Sequence, residues 1–269
     1  MARSALSFAL RAVAPLRKLI AQQIRGVLHR NSQGALPSGP RRGVVSGDPQ
    51  CGPEIRLLVM GDSTAGGSEV PTFALSLAGQ LASALGGRTR RSVRWAILTR
   101  GGITAETLLT KYVPWCAAER PDLIVIALGA NVIIARQSPA AWKEQLTRIV
   151  DGLRETCGEI PIVLTSMPPI ARLEAIPQPV RALAAVQAVR LDAAARSVTR
   201  KRRNVLMASS YLARSGFLGP DGCHPSVAGY AEWSARLAGE IAPFLTESAW
   251  IPPARGGPFA SALQSAASS

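Results

Sequence analysis

The chain is poor in the residue types that build metal centres. It has two histidines, His29 and His224, and four cysteines, Cys51, Cys116, Cys157 and Cys223, with no C-x-x-C spacing. A dedicated zinc site needs several such ligands at short intervals, so no metal is expected. Phosphate-binding glycine patterns are missing as well. The glycine-rich stretch 61–67 fits neither G-x-G-x-x-G nor the lysine-bearing phosphate loop, and no nucleotide or other cofactor is expected. No stretch approaches the roughly 20 apolar residues of a membrane-spanning helix. Aromatic residues make up 5% of the chain, and few of them interleave with its one dense basic run, Arg200-Lys201-Arg202-Arg203. Basic residues suit the last turn of a helix, so nucleic acid is not expected as a partner.

Acidic residues are absent before Asp48, whereas eight of the 31 basic residues lie there. The rest of the chain then holds 23 basic against 17 acidic residues, or +6 of the net +14. Within residues 1–30, Leu6, Leu10, Val13, Leu16, Ile20, Ile24 and Val27 recur at helical spacing with Arg11, Lys18 and Arg25 on the opposite face. This predicts a basic amphipathic helix, kinked at Pro15. Three roles stand open for it: peripheral contact with an anionic membrane surface, packing on the rest of the chain, or a mitochondrial presequence. The corresponding locations are the cytoplasm, with or without membrane contact, and the mitochondrion. Residues 31–53, rich in Gly, Pro and Ser, read as a flexible linker. Residues 249–269 read as a poorly ordered tail.

Between these segments, residues 54–248 have the pattern of a single domain, and 47% hydrophobic content over 269 residues suffices for a sizeable core. Apolar, β-branched runs at 55–60, 93–98, 123–128, 161–165 and 205–208 alternate with helical patterns at 72–85, 105–118, 139–157, 178–202 and 226–245. Such alternation implies an α/β fold, a parallel sheet covered on both faces by helices. Five strands are expected in a three-layer α/β/α sandwich.

Two short motifs carry chemistry. Gly61-Asp62-Ser63-Thr64 follows the first strand, which puts the Ser63 hydroxyl at the carboxyl edge of the sheet, where open α/β sheets bind ligands. Asp62 and Ser63 equally suit a helix N-cap. The second motif, Asp221-Gly222-Cys223-His224-Pro225-Ser226, places an imidazole three residues after a carboxylate. With His29 in the arm, His224 is the remaining candidate base. A hydroxyl, a base and an orienting acid are the components of nucleophilic acyl transfer.

These motifs resemble the blocks of the SGNH, or GDSL-type, hydrolases. Gly61-Asp62-Ser63 is similar to the first block, with Ser63 in the nucleophile position. Gly102, in Arg100-Gly101-Gly102-Ile103-Thr104, matches the glycine of the second. Gly129-Ala130-Asn131-Val132 keeps the asparagine of the third and has Val132 where the family has aspartate. Asp221 and His224 match the acid and the base of the last block. The resemblance spans roughly residues 55–245. It implies a flavodoxin-like strand order, a Ser63-His224-Asp221 triad, and an oxyanion hole from the Ser63 and Gly102 backbone N–H groups and the Asn131 amide. It further implies a small-molecule ester as substrate and hydrolysis through an acyl-serine. The apolar loop 166–179, stiffened by Pro168, Pro169, Pro177 and Pro179, favours short or medium acyl chains if it lines the site. Acyltransferase, thioesterase and lysophospholipase activities share the same residues, and an idle binding module is the alternative from another class.

Overall fold

The computed structural model describes residues 37–247 apart from Gly101 and Arg136. The helix expected over 1–30 and the tail expected over 249–269 lie outside the described residues.

Six strands form one sheet: β1 Arg42–Val45, β2 Ile55–Gly61, β3 Val93–Thr99, β4 Leu123–Ala127, β5 Ile162–Thr165 and β6 Val205–Ala208. They lie in the order β1-β3-β2-β4-β5-β6. The last five are parallel and take the flavodoxin-like order that the resemblance implied. Every residue of β4 and β5 is buried, as expected of parallel strands that are covered on both faces and therefore read as unbroken apolar runs.

The sheet has six strands, not the expected five. The additional one, β1, falls inside the segment 31–53 that reads as a flexible linker, and it pairs antiparallel with β3 in the register Arg42↔Ala96 to Val45↔Val93. Four residues carry too little periodicity to announce a strand; the free edge of β3 decides the pairing. Arg41 locks the strand by donating to the Thr99 carbonyl at 2.8 Å and by lying over the Phe73 ring. A methyl group at Gly43 would meet the Trp95 indole at 2.8 Å, so the glycine that weakens the strand signal is what lets the ring pack against it.

Helix α1 Ser63–Gly66 follows β2. Helices α2 Leu77–Thr89 and α6 Val227–Glu247 pack together on one face of the sheet, and α4 Pro139–Cys157 and α5 Val180–Thr199 pack together on the other. The short helix α3 Ala130–Ile134 follows β4. The helix expected over 105–118 is broken into an α turn, a π turn, a 3-10 turn and a final α turn. Pro114 sits within that stretch; its missing N–H and its ring prevent a continuous helix. No helix among the described residues is long and apolar enough to cross a membrane.

The strand order positions the site. β2 pairs with β3 on one side and β4 on the other, with Gly61 opposite both Thr99 and Ala127. The chain leaves β2 at the switch point, where the strands on either side lead into opposite layers. Gly61 has φ +157°, and a methyl group there would lie 2.0 Å from the Ala127 carbonyl oxygen. Gly61→Ala is expected to lower stability by about 2–3 kcal/mol, measured as the shift in the urea midpoint by circular dichroism.

Candidate active site

The turn that presents Ser63 is built around Asp62, whose residue surface is fully buried. One carboxylate oxygen caps α1 by accepting from the Thr64 N–H at 3.0 Å, and the other accepts from the Gly129 N–H at 3.1 Å. Asp62 is therefore a helix cap, one of the two roles its sequence position allowed, while Ser63 is left free to project its hydroxyl. Burial pushes the Asp62 carboxyl up from its ordinary value, and the two backbone N–H groups pull it partly back. Further bonds brace the same turn. The Thr99 hydroxyl is within reach of the Gly61 and Asp62 carbonyls at 3.0 and 2.9 Å, and the Tyr230 hydroxyl on α6 donates to the Thr64 carbonyl at 2.6 Å. Gly67 closes α1 at φ +82°.

His224 comes from a turn between β6 and α6. Asp221 organises that turn much as an Asx turn does: one oxygen accepts from the Cys223 N–H at 2.8 Å and the His224 N–H at 2.9 Å. Gly222 has φ +66°, which favours glycine. The Gly219 N–H donates to the His224 carbonyl, and the Tyr211 hydroxyl to the Cys223 carbonyl. Cys223 is buried beside the site.

These two turns meet. The Ser63 Oγ lies 2.9 Å from His224 Nε2, and His224 Nδ1 lies 2.5 Å from the remaining Asp221 oxygen. A carboxylate opposite Nδ1 assigns the proton to that nitrogen and leaves the Nε2 lone pair facing the hydroxyl. Burial works to raise the Asp221 carboxyl, but the hydrogen bond and charge of His224 and the two backbone N–H groups outweigh it, and its value is lowered. Asp221 thus stays ionised next to the imidazole.

The other candidate residues sit on neighbouring loops. Asn131 lies in the first turn of α3, and its Nδ2 donates to the Ile103 carbonyl at 3.1 Å. One amide hydrogen is thereby anchored to the loop that carries Gly102. Val132 is buried and offers no hydrogen bond; a backbone carbonyl holds the asparagine instead. Gly102 has φ +76° and is exposed. The structure brings Ser63, His224 and Asp221 into one hydrogen-bonded chain and ties Asn131 to the Gly102 loop, but no hydrogen bond joins Gly102 or Asn131 to Ser63.

The loop 166–179 packs inward. Met167, Ile170, Leu173 and Ile176 are buried in the core, and Pro168 occupies the space that a side chain at Gly129 would need, 2.4 Å from its methyl position. Sequence reasoning missed Glu69, which the fold delivers to the site. Glu69, Asp221 and His224 are the group of potential ligands among the described residues whose donor atoms lie within 4.8 Å of one another. Asp221 and the imidazole are hydrogen-bonded directly to each other, so two of the three donor atoms already have a partner. A lone acid six residues after a serine carries no signal of its own.

A serine, an imidazole and a carboxylate hydrogen-bonded in sequence at the carboxyl edge of a flavodoxin-like sheet are the arrangement that the serine-hydrolase class uses. Within that class the chain belongs to the GDSL-like Lipase/Acylhydrolase family, whose profile matches residues 59–232. It is 30% identical over 213 residues to the GDSL-like esterase Rv1075c of Mycobacterium tuberculosis, a match covering 74% of this chain and 65% of that protein. In fold it is similar to the family 3 carbohydrate esterase of Clostridium thermocellum, with TM-score 0.59, 15% identity, and coverage of 73% of this chain and 100% of the other. It is also similar to the lipase/acylhydrolase of Enterococcus faecalis, with TM-score 0.54, 22% identity, and coverage of 70% and 96%.

Two outcomes are expected. In Asp62→Asn one of the two carboxylate acceptors becomes a donor facing an N–H, which should cost about 1–3 kcal/mol and show as a lower thermal midpoint. A carboxyl whose folded value is depressed adds stability above its unfolded value, near pH 4, and that stability is lost as the pH falls through the lower folded value. The thermal midpoints of wild type and Asp221→Asn should therefore differ at pH 6, and the gap should begin to close only as the pH falls below about 4.

Proposed function

We propose that this protein is a serine esterase that hydrolyses carboxylic esters of short or medium acyl chain through an acyl-serine intermediate. The observation that carries the reading is the unbroken chain from Ser63 Oγ through the His224 ring to the Asp221 carboxylate. The Ser63 hydroxyl passes its proton to Nε2 while its oxygen bonds to the ester carbonyl carbon. Asp221 holds the ring in the tautomer that can accept this proton and stabilises the imidazolium. The imidazolium returns the proton to the departing alcohol as the ester C–O bond breaks. Water, deprotonated in turn by His224, resolves the acyl-serine.

Negative charge on the former carbonyl oxygen needs donors. The backbone N–H groups of Ser63 and Gly102 make no hydrogen bond among the described residues, and the Asn131 amide has a second hydrogen beside the one given to Ile103. These three form the proposed oxyanion hole. The loop 166–179 commits Met167, Ile170, Leu173 and Ile176 to the core, so acyl length is left to the ester panel. The name of the mycobacterial relative supports an ester as substrate. Thioester cleavage and transfer to an alcohol acceptor use the same relay. Peripheral contact with a membrane from the cytoplasmic side, through residues 1–30, remains part of the proposal.

The test is a panel of p-nitrophenyl esters from acetate to palmitate, run beside fluorophosphonate labelling. Ser63→Ala should abolish both turnover and labelling, and persistent labelling elsewhere with unchanged turnover would sink the assignment. Asn131→Ala should lower kcat roughly 10²-fold, as for the loss of one oxyanion donor, with KM little changed.

A further inference from the structure

We infer that Glu69 is a positioning residue for His224, a second carboxylate beside Asp221 that stabilises the imidazolium formed when Ser63 gives up its proton. The inference rests on the relay proposed above and extends it to a residue outside the triad.

The geometry is built for a side chain at this place. A donor atom of Glu69 lies within 4.8 Å of those of both Asp221 and His224. The Glu69 stem lies against Gly219, where a methyl group would fall 2.7 Å from its Cβ and Cγ and 3.0 Å from Oε2. Gly219 belongs to the turn that carries the relay: its N–H donates to the His224 carbonyl at 2.8 Å and its carbonyl accepts from Gly222 at 3.0 Å. The space for Glu69 is thus set by the backbone that holds the base.

Its chemistry complements that of Asp221. Both Asp221 oxygens are committed, one to the turn's N–H groups and one to Nδ1, so ring orientation is already fixed and a second acid acts through charge. No arginine or lysine of the described residues is among the charged groups that act on the Glu69 carboxyl, which leaves its charge available to the imidazolium. Its charge is felt by Asp221, His224 and Tyr230, and Asp62 from the serine turn also acts on His224. Burial and the Asp221 charge raise its carboxyl, and His224 lowers it. When Ser63 Oγ bonds to the substrate carbon and its proton moves to Nε2, the imidazolium has two carboxylates within 4.8 Å. Glu69 neither gains nor loses a proton in this step.

The experiment compares Glu69→Gln, which keeps the stem on Gly219 and removes the charge, with Glu69→Ala and with Ser63→Ala in the full-length protein. Turnover of p-nitrophenyl acetate is followed against pH and salt. Glu69→Gln is expected to lower kcat roughly three- to tenfold, between the effects of exposed and buried ion pairs, with KM little changed and the acid limb of kcat/KM moved to lower pH. The gap to wild type should narrow as salt screens the charge. A Glu69→Gln enzyme that matches wild type while Ser63→Ala is inactive overturns the role of Glu69 and leaves the esterase reading standing. If Glu69→Ala alone is impaired, the side chain serves packing and the inference fails. Activity that survives Ser63→Ala overturns the relay itself.

Discussion

Asp62 is a carboxylate without exposed surface, and the site is assembled around it. Burying such a charge costs several kcal/mol unless it is hydrogen-bonded. The chain meets that cost with the Thr64 and Gly129 N–H groups, which come from the two loops leaving β2 and β4. The serine turn and the Asn131 helix are thus held by the two oxygens of one side chain. Neither loop can shift alone without leaving an oxygen of Asp62 unpaired. Thr99 and Tyr230 brace the same turn from β3 and α6, so each layer near the switch point contributes to the placement of Ser63.

The other half of the relay is more self-contained. Asp221 bonds to backbone N–H groups two and three residues on, and the glycines at 219 and 222 allow the tight path that brings the imidazole back over its own acid. The Tyr211 bond to the Cys223 carbonyl and the packing of α6 tie this turn to the rest of the fold. The serine turn faces a compact turn that carries acid and imidazole, and a hydrogen bond from Ser63 to His224 joins them. In a protein of net charge +14, three carboxylates, Asp62, Asp221 and Glu69, influence a single imidazole. The local field opposes the overall charge, which suits the imidazolium that the proposed mechanism requires.

The parallel strands were legible because each is buried on both faces and so spells a run of apolar residues. The strand β1 was not. Its four residues include Arg42 and Gly43, and only the exposed edge of β3 and the Trp95 ring give them a place. Helix 139–157 was read to the residue from its helical pattern, and in the structure Ser138 caps it and Pro139 opens its first turn. Residues 105–118 showed a comparable stripe, but Pro114 made the backbone depart from a continuous helix. Among the site residues, Ser63, Asp221 and His224 stood out because hydroxyl, acid and base occur in recognisable local contexts. Glu69 and Tyr230 had none, since both reach the site from positions defined by packing.

The sequence by itself determined the α/β class, the order of alternating elements and the candidate hydroxyl, imidazole and carboxylate, because periodicity and turn chemistry are local properties of the chain. The tertiary structure alone decided the sixth strand, the double use of Asp62, the anchoring of Asn131 on the Ile103 carbonyl and the approach of Glu69 to His224. Those depend on which backbone groups come within about 3 Å of one another after the chain has crossed the sheet. That distance is set by the packing of whole layers, and no short stretch of residues encodes it.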